Sequence, residues 1–503
     1  MTDTTAGQTA TGGHITGFGS KGYRTYVLIA LMLVYTLNFI DRTLISVVAQ
    51  PIINTFQLND TQWGLLSGPP FALFYAAMGI PIAMWADRAN RVLIIALCII
   101  VWSVMTALCG VASGFIWLLV FRVGVAVGEA GCTPPANSLI TDYYPPKSRA
   151  GALGIYSMGV TLGGVLAQLF GDTIAGIKGA DFGNWIGSLG LGGLFGNLDW
   201  STVEGWRIAF VVVGAPGVLI AIILMFTIKE PPRGYSDPPS AKGNGKAPFF
   251  DAFREFSAKP TFWWLSLGAA LVAFVGYGLI SFQAPFLQRV HGIDVRDAAV
   301  LYGAPLAAVA ALGTFLGGYI SEKLAGRFST ISAWLPGVGL LIAAYVGAFF
   351  APTIEIAFGL WIIAGTMHYA YLSSQYMVGT AIVSPQSRAT TIAVLLLIVS
   401  LIGNGIGPLF VGAMSDFFMG QEIGKAGLSA FADAFNPRLC GTDPAALGAE
   451  GPELCRAYAN GLCHSMAATV LFFIVAAFCY FMASRSFMRD RYNPDSPAAD
   501  MNS

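Results

Sequence analysis

Long apolar segments alternate with short polar ones along almost the whole chain. A helix needs about 20 mostly apolar residues to cross the hydrocarbon core of a bilayer, and twelve segments meet that requirement. Their approximate limits are 25–50, 62–85, 92–113, 115–141, 149–176, 206–228, 262–288, 298–323, 331–352, 355–382, 388–418 and 464–484. We therefore predict an all-α integral membrane protein with twelve transmembrane helices, called spans 1 to 12 in chain order.

The spans fall into two groups of six, separated by a stretch at 229–260 whose charge and Pro/Gly content are typical of a linker. This grouping predicts a disordered tail over 1–24, a first six-helix bundle over 25–228, a second bundle over 261–485 and a second tail over 486–503. The halves also share motifs. The segment PKSRA at 146–150 follows span 4, and PQSRA follows span 10 at an offset of 239 residues. We expect two pseudo-symmetric bundles, and transporters often bind substrate between such repeats.

Composition narrows the class of protein. The 503 residues are 55% hydrophobic and only 11% charged, whereas soluble domains carry about 25% charged residues. A water-soluble enzyme is therefore excluded as the default interpretation. The 27 Lys and Arg balance the 27 Asp and Glu, so nothing indicates a nucleic-acid partner.

The distribution of Lys and Arg predicts the orientation. If the amino terminus is cytoplasmic, 18 of these residues lie in inside segments and 7 in outside segments. Positive charge accumulates on the cytoplasmic side of membrane proteins. We therefore expect a multi-pass protein of the plasma (inner) membrane with both termini in the cytoplasm.

Several motifs resemble those of the major facilitator superfamily. The segment AMWADRANR at 83–91 resembles its loop signature G-x-x-x-D-R-x-G-R, with Ala83 and Asn90 in place of the two glycines. Arg122 and Glu129 on span 4 resemble its fourth-helix motif. A narrower resemblance, to the Spinster family, rests on NFIDR at 38–42, GEA at 128–130 and EPPRG at 230–234. We interpret the chain as a bacterial homologue of that family.

The Spinster resemblance implies an alternating-access carrier for lysophospholipids or sphingoid-base phosphates, coupled to protons. It implies no enzymatic activity and no cofactor, and we expect a monomer. The alternative within the same superfamily is a proton-coupled carrier of organic anions or sugar acids. A receptor without flux and a membrane enzyme are the alternatives from other classes.

Four charged residues are predicted to lie inside the first bundle: Asp41, Arg42, Arg122 and Glu129. Intramembrane charges are costly and usually face a partner or a water-filled path. At ~1.5 Å per residue, Arg42 and Glu129 differ by ~8 Å in depth, a gap that the two side chains can bridge. We predict a proton-switched ion pair, in which an anionic substrate competes for Arg42 and Glu129 takes up a proton. Asp41 is an alternative proton carrier, and a static salt bridge is the alternative interpretation.

The second bundle has few intramembrane charges and many aromatic residues. An amphiphile with an anionic or zwitterionic head would suit one charged and one aromatic wall, although ordinary packing also explains such aromatics. The predicted substrate-binding residues are Arg42, Glu129, Tyr156, Phe274, Tyr277, His368, Tyr371 and Asn404. His368 is also considered as a second proton site.

Charged residues at the predicted cytoplasmic ends of the spans are candidates for a conformational lock. Within the superfamily, the loop after span 2 joins the bundles when the carrier opens outward. The predicted lock residues are Asp87, Arg88, Arg91, Arg149, Glu322, Lys323 and Arg388, with Glu322-Lys323 as a degenerate second copy of Asp87-Arg88.

Two of the seven cysteines, Cys440 and Cys455, lie in the predicted outer loop 419–463, and Cys463 lies at its end. An outer loop faces an oxidising compartment, so we predict a Cys440–Cys455 disulfide, with Cys463 as a competing partner. No spacing of ligands predicts a metal site.

Overall fold

The computed structural model describes residues 16–188, 190, 199–236, 249–324, 337–384, 387–429, 435–440 and 444–492. These residues contain helices and no β-strand. Ten helices among them are long and apolar enough to cross a membrane, and two shorter apolar helices bring the number to twelve. The prediction of an all-α protein with twelve transmembrane helices is confirmed.

The twelve spans of the structure have the following bounds, in chain order: Lys21–Val47, Asp60–Ala86, Arg91–Gly110, Phe115–Tyr143, Pro146–Phe170, Gly205–Thr227, Pro260–His291, Val295–Gly317, Val338–Phe349, Ile354–His368, Thr390–Lys425 and Gly451–Asp490. The additional helices outside them are Ala49–Phe56, Gly179–Ser188, Trp200–Thr202, Phe249–Ser257, Tyr371–Ala381, Pro437–Cys440 and Pro444–Leu447.

Several spans are interrupted, and proline or glycine stands at the interruptions. Span 2 consists of helices Asp60–Ser67 and Pro69–Ala86, and span 4 of Phe115–Ala130 and Thr133–Tyr143. Proline has no N–H to donate and cannot continue the hydrogen-bond ladder of a preceding helix. In span 11, residues Ser400–Ile406 form a π-helix that contains Gly403 and Gly405. Such π-helical turns are uncommon and often occur at functional positions.

The chain forms two compact units. Unit 1 comprises Met1–Leu58, Pro70–Asn244 and Ile293–Pro305, and unit 2 comprises Asn59–Pro69, Gly245–Gly292 and Leu306–Ser503. The division from sequence had placed 59–69 in the first half and 293–305 in the second. Spans 2 and 8 are therefore each divided between the two units.

Two segments predicted to be irregular are partly helical. The first helix begins at Lys21, where Ser20 caps it by accepting a hydrogen bond from the Tyr23 backbone N–H at 3.2 Å. The predicted linker contains the helix Phe249–Ser257. A search for apolar segments misses these helices, because their polar residues lower the mean hydropathy of the segment. Their backbone is helical all the same.

The last span also begins earlier than predicted, at Gly451 rather than 464, and ends at Asp490. The Asp490 carboxylate accepts hydrogen bonds from the Thr261 backbone N–H at 2.9 Å and from its hydroxyl at 2.7 Å. These contacts tie the end of span 12 to the start of span 7 within unit 2.

Cys440 and Cys455 form a disulfide, whereas Cys463 is a buried free thiol.

Candidate functional site

Arg42 of span 1 and Glu129 of span 4 form an ion pair inside unit 1. Glu129 Oε2 accepts hydrogen bonds from Arg42 Nη2 at 2.8 Å and from Arg42 Nε at 3.1 Å. The Glu129 side chain is completely buried, whereas 21% of the Arg42 side chain is exposed. The structure thus brings together two residues that sequence reasoning placed at bridging depth. The exposed fraction of the Arg42 side chain distinguishes it from its completely buried partner.

Asp41 and Arg122 are buried beside this pair. Each is 3% exposed, and both interact electrostatically with Glu129. Three polar atoms of the group, Asp41 Oδ1, Arg122 Nε and Glu129 Oε1, are buried and make no regular hydrogen bond to a described residue. A buried polar atom without a partner costs free energy. Asn38 interacts with Glu129, and Thr106 with Asp41, in geometry looser than a regular hydrogen bond. The four charged residues therefore form a cluster in which the charges are close and several of the hydrogen bonds are weak.

Aromatic rings surround the two arginines. The Arg42 Cζ atom lies 5.1 Å from the ring centroid of Phe39, 5.2 Å from that of Phe71 and 4.8 Å from that of Tyr75. Phe71 also lies 4.9 Å from Arg122 Cζ, so one ring contacts both cations. Cation–π contacts at such distances are favourable. Sequence reasoning missed Phe39, Phe71 and Tyr75, although the i, i+3 spacing of Phe39 and Arg42 is a weak signal.

A close helix contact fixes the position of Glu129. The preceding residue, Gly128, is buried, and a Cβ added to it would lie 2.6 Å from the Trp102 backbone nitrogen. Only glycine allows spans 3 and 4 to approach so closely here. This contact aims the next residue, Glu129, at Arg42 of span 1.

Tyr156 of span 5 is 2% exposed and stacks on Tyr35 of span 1, with ring centroids 4.5 Å apart. Its buried hydroxyl makes no regular hydrogen bond to a described residue. Tyr156 therefore lies in unit 1 with the charge cluster, although its ring serves to pack the two spans.

The residues predicted on the second half divide into buried and accessible ones. Phe274 packs against Phe410 and Phe472, with centroids 5.2 and 5.0 Å away. Tyr277 is 38% exposed, and Asn404 lies in the π-helix of span 11. The side chain of Tyr371 lies outside the described part of the structure. Among them, Tyr277 is exposed and Asn404 is half-buried.

Both ring nitrogens of His368 lie within hydrogen-bond distance of a partner. Nδ1 lies 2.9 Å from the Tyr345 hydroxyl, and Nε2 lies 3.3 Å from the Val272 carbonyl. The residue is 3% exposed and packs edge-on against Phe473. Satisfied hydrogen bonds and burial are typical of a structural histidine.

Of the predicted lock residues, Arg91 makes the most contacts. Its Nη1 donates to Asp142 at 2.5 Å, its Nε to Glu230 at 2.6 Å and its Nη2 to the Pro231 carbonyl at 3.0 Å. Arg91 thereby holds the start of the linker against span 4, all within unit 1. Asp87 and Arg88 are exposed, and their side chains form no hydrogen bond or ion pair with a described residue.

The remaining lock residues contact the backbone or lie outside the description. Arg149 Nε donates to the Tyr144 carbonyl at 3.0 Å, and Arg388 Nε donates to the Thr380 carbonyl at 3.2 Å. Both arginines bind the carboxyl-terminal end of the preceding helix, Arg149 at its C-cap residue Tyr144 and Arg388 within its last turn. The side chains of Glu322 and Lys323 lie outside the described part of the structure.

Comparisons with known proteins agree with this geometry. Residues 31–408 match the family described as Major Facilitator Superfamily. A crystal structure titled as a bacterial homologue of the human lysosomal transporter Spinster, in an inward-facing and unoccupied conformation, is 68% identical. The match covers 95% of this chain and 100% of that chain, with a TM-score of 0.91.

Two relatives are more distant. An MFS-type efflux pump of Mycolicibacterium smegmatis is 29% identical over 402 residues, which are 79% of this chain and 86% of the pump. Protein spinster homolog 1 of Xenopus tropicalis is 25% identical over 416 residues, covering 78% of this chain and 74% of the relative.

These matches show that the chain belongs to the Major Facilitator Superfamily of membrane transporters, and that it is an integral, multi-pass membrane protein. Within that superfamily it is a bacterial member of the Spinster family. Both family assignments made from sequence motifs are confirmed.

Proposed function

We propose that the protein is a proton-coupled, alternating-access carrier of an amphiphilic lipid-like molecule with a phosphate-bearing head, such as a lysophospholipid or a sphingoid-base phosphate. The observation that carries the proposal is the Arg42–Glu129 pair, which joins a fully buried carboxylate to a partly exposed guanidinium. This asymmetry leaves the cation reachable by substrate while it keeps the anion out of water.

The pair acts as a switch between substrate and proton. Arg42 carries a permanent charge in a forked geometry that suits phosphate and carboxylate groups. When a headgroup takes the Arg42 contact, Glu129 loses the hydrogen bonds that stabilise its ionised form. A buried carboxylate without such bonds favours the protonated state, so substrate binding and proton uptake are linked. Asp41 lies close enough to interact with Glu129 and shares in this titration.

We base the lipid-like substrate on the resemblance to the Spinster family carried by the segments 38–42, 128–130 and 230–234. In unit 2, Tyr277 is 38% exposed. Tyr277 is our candidate for contact with an apolar tail. The distribution of Lys and Arg supports residence in the plasma membrane with both termini in the cytoplasm. Asp87 and Arg88 then form the cytoplasmic lock, which pairs when the carrier opens outward.

The decisive test is Glu129→Gln in proteoliposomes. We expect loss of uptake driven by a pH gradient, while exchange of substrate without a gradient persists, because only the proton step requires the carboxyl. Arg42→Ser should lose both activities. Glu422→Gln, which removes an exposed ion pair with Lys425, is the matched control and should transport normally. Full proton-driven uptake by Glu129→Gln would overturn the proposal.

A carrier of organic anions or sugar acids is the second candidate, because the exposed part of Arg42 would equally bind a carboxylate. A binding screen on the purified protein separates the two candidates. Lysophospholipids, phosphorylated sphingoid bases and hexuronates should be compared at pH 5.5 and pH 7.5. Binding of the lipids, with loss of affinity in Arg42→Ser, supports the first candidate, and binding of hexuronates alone supports the second.

A further inference from the structure

The residues just before the first helix pack against the end of span 4. The Phe18 backbone N–H donates to the Tyr143 carbonyl at 3.1 Å. Gly17 is buried and has φ +78°, and a Cβ added to it would lie 2.3 Å from the same carbonyl oxygen. Residues with a side chain rarely adopt this φ, so position 17 requires glycine for its conformation as well as for its space. Residues 17–20, which we call the strap, therefore fit span 4 closely.

The Phe18 side chain joins span 4 to the start of the linker, residues 229–236. Its ring packs edge-on against Tyr143, with ring centroids 5.4 Å apart, and against Tyr235 of the linker start, at 5.1 Å. Such contacts between ring edges and faces are favourable beyond the area that they bury. The Tyr143 hydroxyl also donates to the Lys229 carbonyl at 2.5 Å. The strap, span 4 and the linker start thus meet at one aromatic contact.

Tyr23 of span 1 adds polar contacts to the same part of the linker. Its hydroxyl donates to the Thr227 carbonyl at 2.9 Å and accepts from the Lys229 backbone N–H at 2.8 Å. The last carbonyls of a helix have no partner within it, and span 6 ends at Thr227. Tyr23 is tied to the strap in turn, because its backbone N–H donates to the Ser20 hydroxyl at 3.2 Å. The strap and Tyr23 therefore hold the linker start together.

On its other side, the linker start binds charged residues of unit 1. Asp142 of span 4 accepts a hydrogen bond from the Gly234 backbone N–H at 2.9 Å. Glu230 accepts from Arg91 Nε at 2.6 Å, and its second oxygen accepts from the Arg91 backbone N–H at 3.1 Å. Arg91 is 1% exposed and also binds Asp142. The contact between Arg91 and Glu230 therefore depends on where the linker start lies.

Unit 2 contains an equivalent contact at the matching position of its own half. Ile382 is offset from Tyr143 by the same 239 residues that separate the PKSRA and PQSRA motifs. Its carbonyl accepts a hydrogen bond from Lys259 Nζ, just before span 7. Glu255, four residues earlier, accepts from the Ser384 backbone N–H at 2.6 Å and from its hydroxyl at 2.9 Å. Two segments of dissimilar sequence thus make the same kind of contact, which indicates a role in both bundles rather than incidental packing of a tail.

We propose that the strap is a conformational device that couples the amino-terminal tail to Arg91. While Phe18 is in place, the linker start stays on unit 1 and Glu230 stays on Arg91. When the strap leaves span 4, the linker start is released, and Arg91 loses Glu230 while it keeps Asp142. A partner or a modification that displaces the tail therefore changes the contacts of a predicted lock residue. This inference needs neither the lipid substrate nor the proton step of the proposed function.

The strap is held weakly enough to be released. Phe18 is half-buried, and one backbone hydrogen bond and two ring contacts join it to described residues. Segments with few buried contacts open locally at a small part of the free energy of global unfolding. Glu230 belongs to the linker start and Arg91 to span 3, so the two separate when the linker start moves. Release of the strap is therefore the first step, and loss of the Arg91–Glu230 contact is the second.

Amide hydrogen exchange of the full-length protein in detergent, followed by mass spectrometry, tests the strap without changing the linker. The backbone N–H groups that report on the linker start are those of Lys229, Gly234 and Tyr235, which donate to Tyr23, Asp142 and Pro232. Phe18→Ala removes both ring contacts and should accelerate their exchange on the order of ten-fold. The N–H groups of Arg91 and Val92, which donate to Glu230, should exchange faster as well.

A pair of glycine variants repeats the test with a matched control. Gly17→Ala places a Cβ against the Tyr143 carbonyl and should accelerate the same N–H groups, even if Phe18→Ala folds poorly. Gly22→Ala is the control, because Gly22 lies within the first helix and an added Cβ would meet no described atom of another element within 4 Å. Exchange in Gly22→Ala should match that of the parent. The peptide 249–257, at the other end of the linker, should be unchanged in every variant.

The coupling must also act in the opposite direction, because linkage between two sites is reciprocal. Tyr235→Ala leaves the strap unaltered in sequence but removes one of the two ring contacts of Phe18. Exchange of the Phe18 N–H should therefore accelerate in this variant. An unchanged rate at Phe18 would contradict the coupling.

The remaining outcomes are distinct. Exchange at the linker start that stays within about two-fold of the parent in folded Phe18→Ala and Gly17→Ala would overturn the strap. So would faster exchange there with unchanged Arg91 and Val92, because the coupling to the lock residue would then be absent. Equal acceleration in the peptide 249–257 would also contradict the proposal, since it indicates a loosened protein. Acceleration confined to the linker start and to residues 91–92 supports the strap, whatever the result of the Glu129→Gln assay.

Discussion

Two buried clusters of charge, one in each compact unit, differ in how fully their hydrogen bonds are made. In unit 2, both Asp60 oxygens accept from Arg289, and Ser415 adds a third bond. In unit 1, Glu129 uses one oxygen for Arg42. Its other interaction, with Asn38, and that of Asp41 with Thr106 have geometry looser than a regular hydrogen bond. The two carboxylates are buried to a similar degree, whereas the Arg42 side chain is 21% exposed and the Arg289 side chain only 4% exposed.

We interpret this contrast as the difference between a contact that holds a conformation and one whose protonation state can change, as proposed for Glu129. A fully paired buried ion is most stable as it stands, and loss of either partner is strongly destabilising. An incompletely paired carboxylate has already lost part of its hydration without full compensation, so a proton or a new partner can stabilise it. Clusters of the second kind are frequent at functional sites.

The largest expected effect is on stability and comes from Asp60→Asn. This change leaves Arg289 buried without its bidentate partner, and breaking such a pair costs about 3–5 kcal/mol. We expect a clear fall in the midpoint of thermal unfolding in detergent. The midpoint of the Arg289→Lys variant should fall less, because the lysine ammonium keeps the positive charge. If Asp60→Asn unfolded at the same temperature as the parent, the Asp60 pair would not be the tightly paired cluster described above.

Asp41→Asn should affect thermal stability less than Asp60→Asn, and in the opposite direction. Asp41→Asn replaces a buried carboxyl, which interacts with Thr106 in loose geometry, by a neutral amide of equal shape. Because the carboxyl lacks the full pairing that Asp60 has, the change should leave stability unchanged or raise it by about 1 kcal/mol. Proton-driven uptake should nevertheless fall, because Asp41 shares the titration with Glu129. A loss of stability as large as that of Asp60→Asn would remove the distinction between the two clusters.

The sequence allowed the unit 1 cluster to be anticipated but not the unit 2 cluster of Asp60 and Arg289, for a physical reason. Asp41, Arg42, Arg122 and Glu129 interrupt long apolar runs, and charge at that depth is rare enough to indicate a partner. Arg289 lies at the end of a span, where charged residues are common and were counted as loop charges. Its partner is 229 residues away, and no local pattern links the two.

The same reasoning explains which parts of the fold were predicted. Twelve apolar segments of sufficient length define the spans almost independently of context. The break at Gly68 has a local signal, Pro69-Pro70, which a hydropathy pattern does not register, whereas the helix Phe249–Ser257 makes tertiary contacts. For example, Glu255 in this helix accepts a hydrogen bond from the Ser387 hydroxyl at 2.5 Å. Such contacts between distant segments do not alter the hydrophobic periodicity from which the helices are read.

The smallest expected effect concerns the aromatic rings and compares Phe71 with Phe274. Phe71 contacts the guanidinium groups of Arg42 and Arg122, whereas Phe274 contacts other phenylalanines in unit 2. Both Phe→Leu changes remove ring packing and should reduce thermal stability similarly. Only Phe71→Leu also removes cation–π contacts, which contribute about 0.5–2 kcal/mol each.

Phe71→Leu should therefore shift the pH midpoint of transport by roughly one unit or less, since one unit corresponds to about 1.4 kcal/mol. Without these contacts, the guanidinium groups of Arg42 and Arg122 depend more on their attraction to an ionised Glu129. The ionised form of Glu129 is then relatively more favourable, so the pH midpoint of transport should move towards lower pH. Phe274→Leu should transport with the midpoint of the parent protein. Equal midpoints for the two variants would show that the ring beside the arginines only fills space, and the protonation of Glu129 would then depend on Arg42 and Asp41 alone.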